Sequence, residues 1–121
     1  MKTVLLIDDE QEYLDLIVPR IEKWGYTVVS FLEGKKALEY LQANKPDIML
    51  LDLGLQDISG MKVLLETKTK YPDLAVWVVS AYNDSDLREQ AMKLKADDFI
   101  AKPFLPAELK VKLQEYFLKK E

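Results

Sequence analysis

Short apolar segments alternate with longer segments of helical periodicity along the chain. β-Branched and apolar residues predict strands at 3–7, 27–31, 48–52, 75–79 and 98–101. Apolar residues that recur every three to four positions predict helices at 11–24, 34–43, 60–71, 84–95 and from 106 onward. This alternation is typical of an α/β fold, in which a doubly wound parallel sheet of five strands carries five helices on its two faces.

Glycine, proline and capping residues mark the ends of several predicted helices. Gly25 follows the first helix, and Pro106 lies where the first turn of the last helix tolerates proline. Asn83 or Asp84 is the expected N-cap of the fourth helix. Pro19 removes a backbone donor inside the first helix, so we expect one bent helix there, with a break into two as the alternative.

The composition fits one soluble domain that spans residues 1–121. Apolar residues make up 49% and charged residues 31% of the chain, and no apolar run approaches the length of a membrane span. The sequence shows no signal-peptide pattern, so we expect a cytoplasmic location and no membrane contact. The net charge of −4 gives no electrostatic basis for direct nucleic-acid binding.

The absence of cysteine and histidine narrows the possible chemistry. It excludes disulfides, thiolate metal sites and catalytic triads that need an imidazole. Oxygen ligands remain, and they favour Mg²⁺, with Mn²⁺ as an alternative. Ca²⁺ fits less well, because it needs more oxygens and the sequence has no twelve-residue calcium-binding loop.

Four of the predicted strands lead into residues that a phosphoryl-transfer site uses. These residues are Asp8 and Asp9 after the first strand, Asp52 at the end of the third, Ser80 after the fourth and Lys102 after the fifth. Because the carboxyl ends of parallel strands lie along one edge of a sheet, we expect these side chains to converge. Each residue also has a purely structural explanation, as an acid at a helix terminus or as a turn residue. Such explanations would have to hold independently at all four strand ends, so we favour a shared functional site.

The three aspartates would repel one another at such an edge. Two carboxylates about 4 Å apart cost roughly 4 kcal/mol at an effective dielectric constant near 20. A bound Mg²⁺ would offset that repulsion, and protonation of some of the acids is the alternative. Asp52 could then attack phosphorus while the metal and Lys102 neutralise the phosphoryl oxygens and Ser80 donates a hydrogen bond.

Four segments resemble the receiver domain of two-component response regulators. They are LLIDDE, LLDLGLQDISG, VVSAYND and ADDFIAKPF, and they follow the receiver order and spacing over essentially the whole chain. The resemblance implies the flavodoxin-like receiver fold with strand order 2-1-3-4-5. It also implies a signalling domain rather than an enzyme, one that catalyses only its own phosphorylation and dephosphorylation.

The resemblance assigns the acidic residues their roles. Asp52 would be the phospho-acceptor, and Asp8 and Asp9 would be the acidic pair around Mg²⁺. Gly54, two residues after the acceptor, would offer its backbone carbonyl to the same metal. The phosphoryl donor would be a sensor histidine kinase or a histidine phosphotransfer protein. The output would pass to an effector domain or protein, and a homodimer remains an open alternative.

The remaining site residues follow from the same resemblance. Lys102 would contact the phosphoryl group and precede a cis proline, Pro103. Ser80 would be the switch hydroxyl, and Phe99 the aromatic residue that rotates inward on activation. The two would relay phosphorylation to the face formed by the fourth helix, the fifth strand and the fifth helix. Tyr82 would overhang the acceptor and slow dephosphorylation by restricting the attacking water.

Three positions depart from the receiver pattern. Leu55-Gln56 replaces a common Met-Pro after the acceptor, which loosens the expected loop. Lys95 stands where glycine is common before the fifth strand, so a residue with a Cβ must make that turn. Phe99 replaces tyrosine in many receivers, so the response of this ring must be steric.

Three other classes of protein share parts of this pattern. Haloacid-dehalogenase-type phosphatases also use a nucleophilic aspartate, a hydroxyl, a lysine and Mg²⁺, but they need a second aspartate where this chain has Gly54. P-loop nucleotidases need a GxxxxGK[ST] motif, which the sequence lacks. A receiver-like binding module without phosphorylation remains the third alternative, and the intact set of acids, Ser80 and Lys102 argues against it.

Overall fold

The computed structural model describes residues 1–81 and 85–120, and the element bounds are taken from that part of the chain. The strands are β1 (Thr3–Ile7), β2 (Thr27–Phe31), β3 (Ile48–Asp52), β4 (Ala75–Ala81) and β5 (Asp98–Lys102). The helices are α1 (Gln11–Lys23), α2 (Gly34–Leu41), α3 (Gly60–Lys70), α4 (Ser85–Lys93) and α5 (Pro106–Lys120). Among these residues, no helix is both long and apolar enough to cross a membrane.

The strands form one parallel sheet in the order β2-β1-β3-β4-β5, which confirms the predicted order. β3 is the central strand, and all five of its residues are buried, as the continuous apolar run predicted. Ile7 of β1 pairs with Leu51 of β3, and Asp52 pairs with Val79 of β4. The carboxyl ends of these three strands therefore lie side by side.

The helices cover both faces of this sheet, as predicted. α1 and α5 pack on one face through the buried residues Leu14, Ile17, Ile21, Leu109, Leu113 and Phe117. α2, α3 and α4 pack on the other through Ala37, Leu41, Val63, Leu64 and Ala91. Successive strand residues point to opposite faces, so Leu50 belongs to the first core and Leu51 to the second. Asp52 is two residues after Leu50, so its side chain lies on the same face of the sheet, the face that α1 and α5 cover.

The predicted ends of several elements were wrong by a turn or less. β4 continues beyond 79 through Ala81, and β5 continues beyond 101 through Lys102, because backbone pairing between the two strands persists after the apolar runs end. α2 ends at Leu41 instead of 43, and the following residues form tighter three-residue turns. α1 is a single helix with Pro19 inside it, so the alternative of two helices was wrong.

Lys95 makes the turn before β5 in the conformation that favours glycine. Its φ angle is 72°, which is a left-handed conformation for a residue with a Cβ. The N–H of Lys95 donates to the carbonyl of Met92, and the N–H of Ala96 donates to that of Ala91, so the turn closes the end of α4. The departure seen in the sequence is therefore a strained position in the structure.

Thr67 gives a stability prediction. Its side chain is fully buried on the inner face of α3, and its hydroxyl has no hydrogen-bond partner among the described residues. Thr67→Val keeps the shape and removes the unpaired hydroxyl, so we expect the free energy of unfolding to rise by about 1 kcal/mol. Thr67→Ser keeps the hydroxyl, removes a methyl group and should lower it. Urea unfolding of both variants decides the sign, and a Thr67→Val protein less stable than wild type would contradict the assignment.

Candidate functional site

The strand ends bring the predicted site residues to one edge of the sheet. Asp8 directly follows β1, beside the end of β3 that carries Asp52. Ser80 lies one residue beyond the partner of Asp52 in β4. Lys102 is the last residue of β5 and pairs with Ala81. The parallel register thus accounts for the convergence that the sequence predicted.

Three polar side chains at this edge are buried. Asp8 is 1% exposed, Asp52 is 8% exposed and Ser80 is 6% exposed. Aspartate is seldom buried in proteins unless it is paired with a charge or hydrogen-bonded. The partners of these buried groups therefore need to be identified.

Lys102 reaches across the edge to Asp8. The Nζ atom of Lys102 lies 2.6 Å from Oδ2 of Asp8, and the lysine side chain is only 16% exposed. The N–H of Glu10 donates to the other oxygen of Asp8, Oδ1, at 2.9 Å. Both oxygens of Asp8 are therefore engaged, one by an ammonium group and one by the backbone at the start of α1.

Asp52 has one oxygen paired with the backbone. Its Oδ1 accepts a hydrogen bond of 3.0 Å from the N–H of Gly54, and no partner of Oδ2 occurs within residues 1–81 and 85–120. Burial raises the pKa of Asp52, and the charges of Asp8 and Asp9 raise it further. The Gly54 hydrogen bond and Lys102 oppose these effects without cancelling them. Asp52 is thus a strand-end carboxylate with one oxygen unpaired among the described residues, close to the charges of Asp8 and Asp9.

A group of acids at the start of α1 could hold a metal ion. Carboxylate oxygens of Asp8, Asp9 and Glu10 all lie within 4.8 Å of one another. The sequence had pointed to Asp8 and Asp9 with Asp52, and it gave Glu10 no role as a ligand. These all-oxygen donors, on a chain without cysteine or histidine, fit a hard cation such as Mg²⁺. Asp52 and the carbonyl of Gly54 stay predicted ligands.

Ser80 and Phe99 lie on the face of the sheet opposite to Asp52. Phe99 is 9% exposed and packs in the core beneath α2, α3 and α4, and the guanidinium carbon of Arg88 lies 5.8 Å from its ring centroid. Ser80 is two residues after Val78, which belongs to the same core, so the two side chains lie on the same face of the sheet. The two predicted switch residues thus share a face. Tyr82 lies outside the described residues, as do the two candidate caps of α4.

The peptide bond between Lys102 and Pro103 is cis, as the resemblance predicted. Pro103 opens the segment between β5 and α5, and α5 begins at Pro106. The cis bond therefore directly follows the residue that reaches Asp8. The cis bond assigned to Pro103 is therefore confirmed, and the role of Lys102 toward a phosphoryl group stays a prediction.

Asp57 and Gly60 support the loop that follows Asp52, and sequence reasoning gave neither a role. The carboxylate of Asp57 accepts hydrogen bonds of 3.0 Å from the N–H groups of Gly34 and Lys35, so the loop after β3 caps α2. Burial raises the pKa of Asp57, but these hydrogen bonds outweigh it and leave the pKa below its usual value. A Cβ on Gly60 would lie 2.5 Å from the Cα of Leu53. No short sequence motif signals either contact.

The opposite pKa directions of Asp52 and Asp57 predict opposite effects of amidation. The pKa of Asp52 is higher in the folded state than in the unfolded state. Its contribution to the free energy of unfolding is therefore present at low pH and is lost as the pH rises through the folded-state pKa. Ionised Asp52 destabilises the fold at neutral pH. Without Mg²⁺, we expect Asp52→Asn to be more stable than wild type at pH 7, with the advantage vanishing below about pH 4.

Asp57→Asn is the matched control for this prediction. Because the pKa of Asp57 is lowered, its carboxylate stabilises the fold above its ordinary pKa, and that contribution disappears on acidification. We expect Asp57→Asn to be less stable than wild type at pH 7 and to approach it in acid. Chemical unfolding at both pH values tests the pair, and two shifts of the same sign at pH 7 would contradict the assignment.

The comparison with known proteins decides the family. The family model described as the response regulator receiver domain matches residues 4–114. The chain is a member of the response regulator receiver family. The transcriptional regulatory protein CreB of Escherichia coli is 35% identical over 108 residues, which cover 89% of this chain and 47% of CreB. The chain spans about half the length of the curated relatives that it matches.

Solved receiver structures agree with the observed fold. A CheY-like receiver domain protein from Methanospirillum hungatei superimposes with a TM-score of 0.92 at 24% identity, covering 98% of this chain and 95% of that one. The response regulator TrrA of Thermotoga maritima, in complex with Mg²⁺-BeF, has a TM-score of 0.83 at 31% identity, with 95% and 98% coverage. The first similarity shows the fold alone. The predicted receiver fold is confirmed.

Proposed function

We propose that this receiver domain accepts a phosphoryl group on Asp52 from a sensor histidine kinase or a histidine phosphotransfer protein. The observation that carries the proposal is the buried edge where Oδ2 of Asp52 has no partner among the described residues while Lys102 is held beside Asp8. Membership of the receiver family supports the same reading. The rival dehalogenase-type assignment loses its support, because Gly54 supplies only backbone atoms where those enzymes need a second carboxylate.

Each side chain has a distinct task in this transfer. Oδ2 of Asp52 attacks phosphorus, the bond between phosphorus and the donor imidazole nitrogen breaks, and that nitrogen regains a proton. Lys102 shifts from Asp8 toward the oxygens of the incoming group and neutralises charge there. Ser80, which follows the residue that pairs with Asp52, would donate a hydrogen bond to a third oxygen.

Mg²⁺ is the cation that this donor set would hold. Asp8, Asp9 and Asp52 would bind it, with the carbonyl of Gly54, and Glu10 is placed to contribute directly or through water. When bound, it would neutralise carboxylate repulsion and charge on the phosphoryl oxygens. Support comes from TrrA, whose structure holds Mg²⁺-BeF.

The output of the switch would leave through α4, β5 and α5. Phosphorylation would bias an equilibrium between two conformations through Ser80 and Phe99, which share the face of the sheet that α4 covers. The ring of Phe99 lacks a hydroxyl, so its change would act through packing against Arg88 and the core. An effector domain or separate protein would read that surface, as the transcriptional regulators among the relatives suggest.

The proposal is tested by intact-protein mass after incubation with acetyl phosphate. We expect wild type to gain one phosphoryl group in Mg²⁺ and none when EDTA is present. Asp52→Asn should gain none in either condition while retaining its fold. No gain by wild type, with Mg²⁺ binding shown independently, would overturn the proposal in favour of a receiver-like binding module.

A further inference from the structure

The ring of Tyr13 lies directly over the ammonium group of Lys102. The distance from Nζ to the ring centroid is 4.3 Å. The other cation–ring pairs in the described part of the chain lie at 5.5–5.8 Å, so this contact is the tightest of its kind there. The helical periodicity of residues 11–24 gave no sign of this contact.

The fold fixes the Tyr13 ring at this place. Tyr13 lies in the first turn of α1, directly after the acids at the end of β1, and packs against the core between the sheet, α1 and α5. Burial raises its pKa, and the nearby charges of Asp8 and Asp52 raise it further. The side chain is therefore half-buried within the field of the same carboxylates that surround the acceptor.

Lys102 is consequently held from two sides. Asp8 contacts its ammonium group at 2.6 Å, and the electron-rich face of Tyr13 covers it from α1. A lysine side chain has four rotatable bonds and many rotamers, so an ammonium group with one contact samples a wide volume. The second contact confines Nζ to the site and does not involve Asp8.

We propose that Tyr13 is a positioning residue for Lys102, whose aromatic face keeps the ammonium group at the acceptor edge during phosphoryl transfer. This inference rests on the proposed function of Asp52 and Lys102. The ring carries the effect, because the Tyr13 hydroxyl makes no hydrogen bond with any described residue. Phenylalanine should therefore replace tyrosine with little loss, whereas an aliphatic residue should not.

The test compares Tyr13→Phe with Tyr13→Leu, because both keep an apolar side chain in the core. With acetyl phosphate and saturating Mg²⁺, we expect Tyr13→Leu to lower the maximal phosphorylation rate about three- to ten-fold, as expected for a partly exposed cation–π contact. The acetyl phosphate concentration at half-maximal rate should change little. Tyr13→Phe should stay within about two-fold of wild type in both parameters.

A spectroscopic measurement separates positioning from a general loss of structure. The ring current of Tyr13 should shift the ε-methylene protons of Lys102 upfield in wild type and Tyr13→Phe, but not in Tyr13→Leu. Equal maximal rates for wild type and Tyr13→Leu, or equal losses in Tyr13→Leu and Tyr13→Phe, would overturn the inference alone. Failure of wild type to accept a phosphoryl group would overturn the proposed function and this inference with it.

Discussion

Lys102→Met should slow phosphorylation of the protein by about two to three orders of magnitude, as removal of one well-placed charge-stabilising donor typically does. Lys102 contacts Asp8 and acts on Asp52 by lowering its pKa, and its side chain is 16% exposed, so solvent replaces it poorly. Rates measured with acetyl phosphate at saturating Mg²⁺ test this expectation. Lys110→Met, at an exposed position of α5, is the matched control and should react like wild type.

The same variant should bind Mg²⁺ more tightly. In wild type, Lys102 and an incoming cation compete for the carboxylate of Asp8, since Nζ already occupies Oδ2 at 2.6 Å. Removing the ammonium group should raise the Mg²⁺ affinity by about ten-fold. A ten-fold change in affinity corresponds to the same free energy as a shift of one pKa unit. A higher Mg²⁺ affinity together with a lower phosphorylation rate is the result expected when the ion pair between Lys102 and Asp8 is removed. A Lys102→Met protein that binds Mg²⁺ more weakly, or reacts at the wild-type rate, would contradict the assignment.

Gly60→Ala should lower the free energy of unfolding by about 2 kcal/mol and also slow phosphorylation. The new Cβ would meet backbone atoms alone: the Cα of Leu53 at 2.5 Å, the carbonyl oxygen of Asp52 at 2.8 Å and that of Leu53 at 2.9 Å. These atoms cannot move without shifting the acceptor strand or α3. The loss of stability and the loss of activity therefore have one cause, the displaced backbone around Asp52.

Gly34→Ala is the control for this prediction. There the new Cβ would lie 2.7 Å from a side-chain methyl of Val63 and 3.0 Å from a side-chain carbon of Ile58. This substitution should also lower stability, but it meets side chains and not the backbone at Asp52, so it should leave the phosphorylation rate near wild type. Urea unfolding and the acetyl phosphate assay measure both effects. Equal stability of Gly60→Ala and wild type would show that the backbone at Asp52 yields more easily than the structure indicates.

The strands were predictable because their signal is local. The all-apolar run of β3 needs cover on both faces, and its five residues are buried as expected. Their order along the sheet was not readable from that pattern and came from the resemblance to receivers. The sequence placed Ser80 and Lys102 just beyond the ends of their strands. In the structure both residues belong to the strands, because backbone pairing does not depend on apolar side chains.

The supports of the site were not predictable, because they join residues that are distant in sequence. Asp57 caps α2 from 23 residues away, a distance that no capping motif spans. Tyr13 fits its helical periodicity whether or not a lysine from β5 lies beneath its ring, so its pattern carried no sign of the contact with Lys102. The residues proposed to carry the chemistry stand at strand ends and are visible in one sequence, whereas the residues that contact them appear only once the chain is folded.

The location of the phosphoryl group tests the central claim most directly. After incubation with acetyl phosphate and Mg²⁺, borohydride reduction converts an aspartyl phosphate to homoserine, which peptide mass spectrometry locates in the sequence. We predict homoserine at position 52 of wild type, and none at position 8 or 9. Homoserine at another aspartate, or a phosphorylated protein with residue 52 unmodified, would contradict the account.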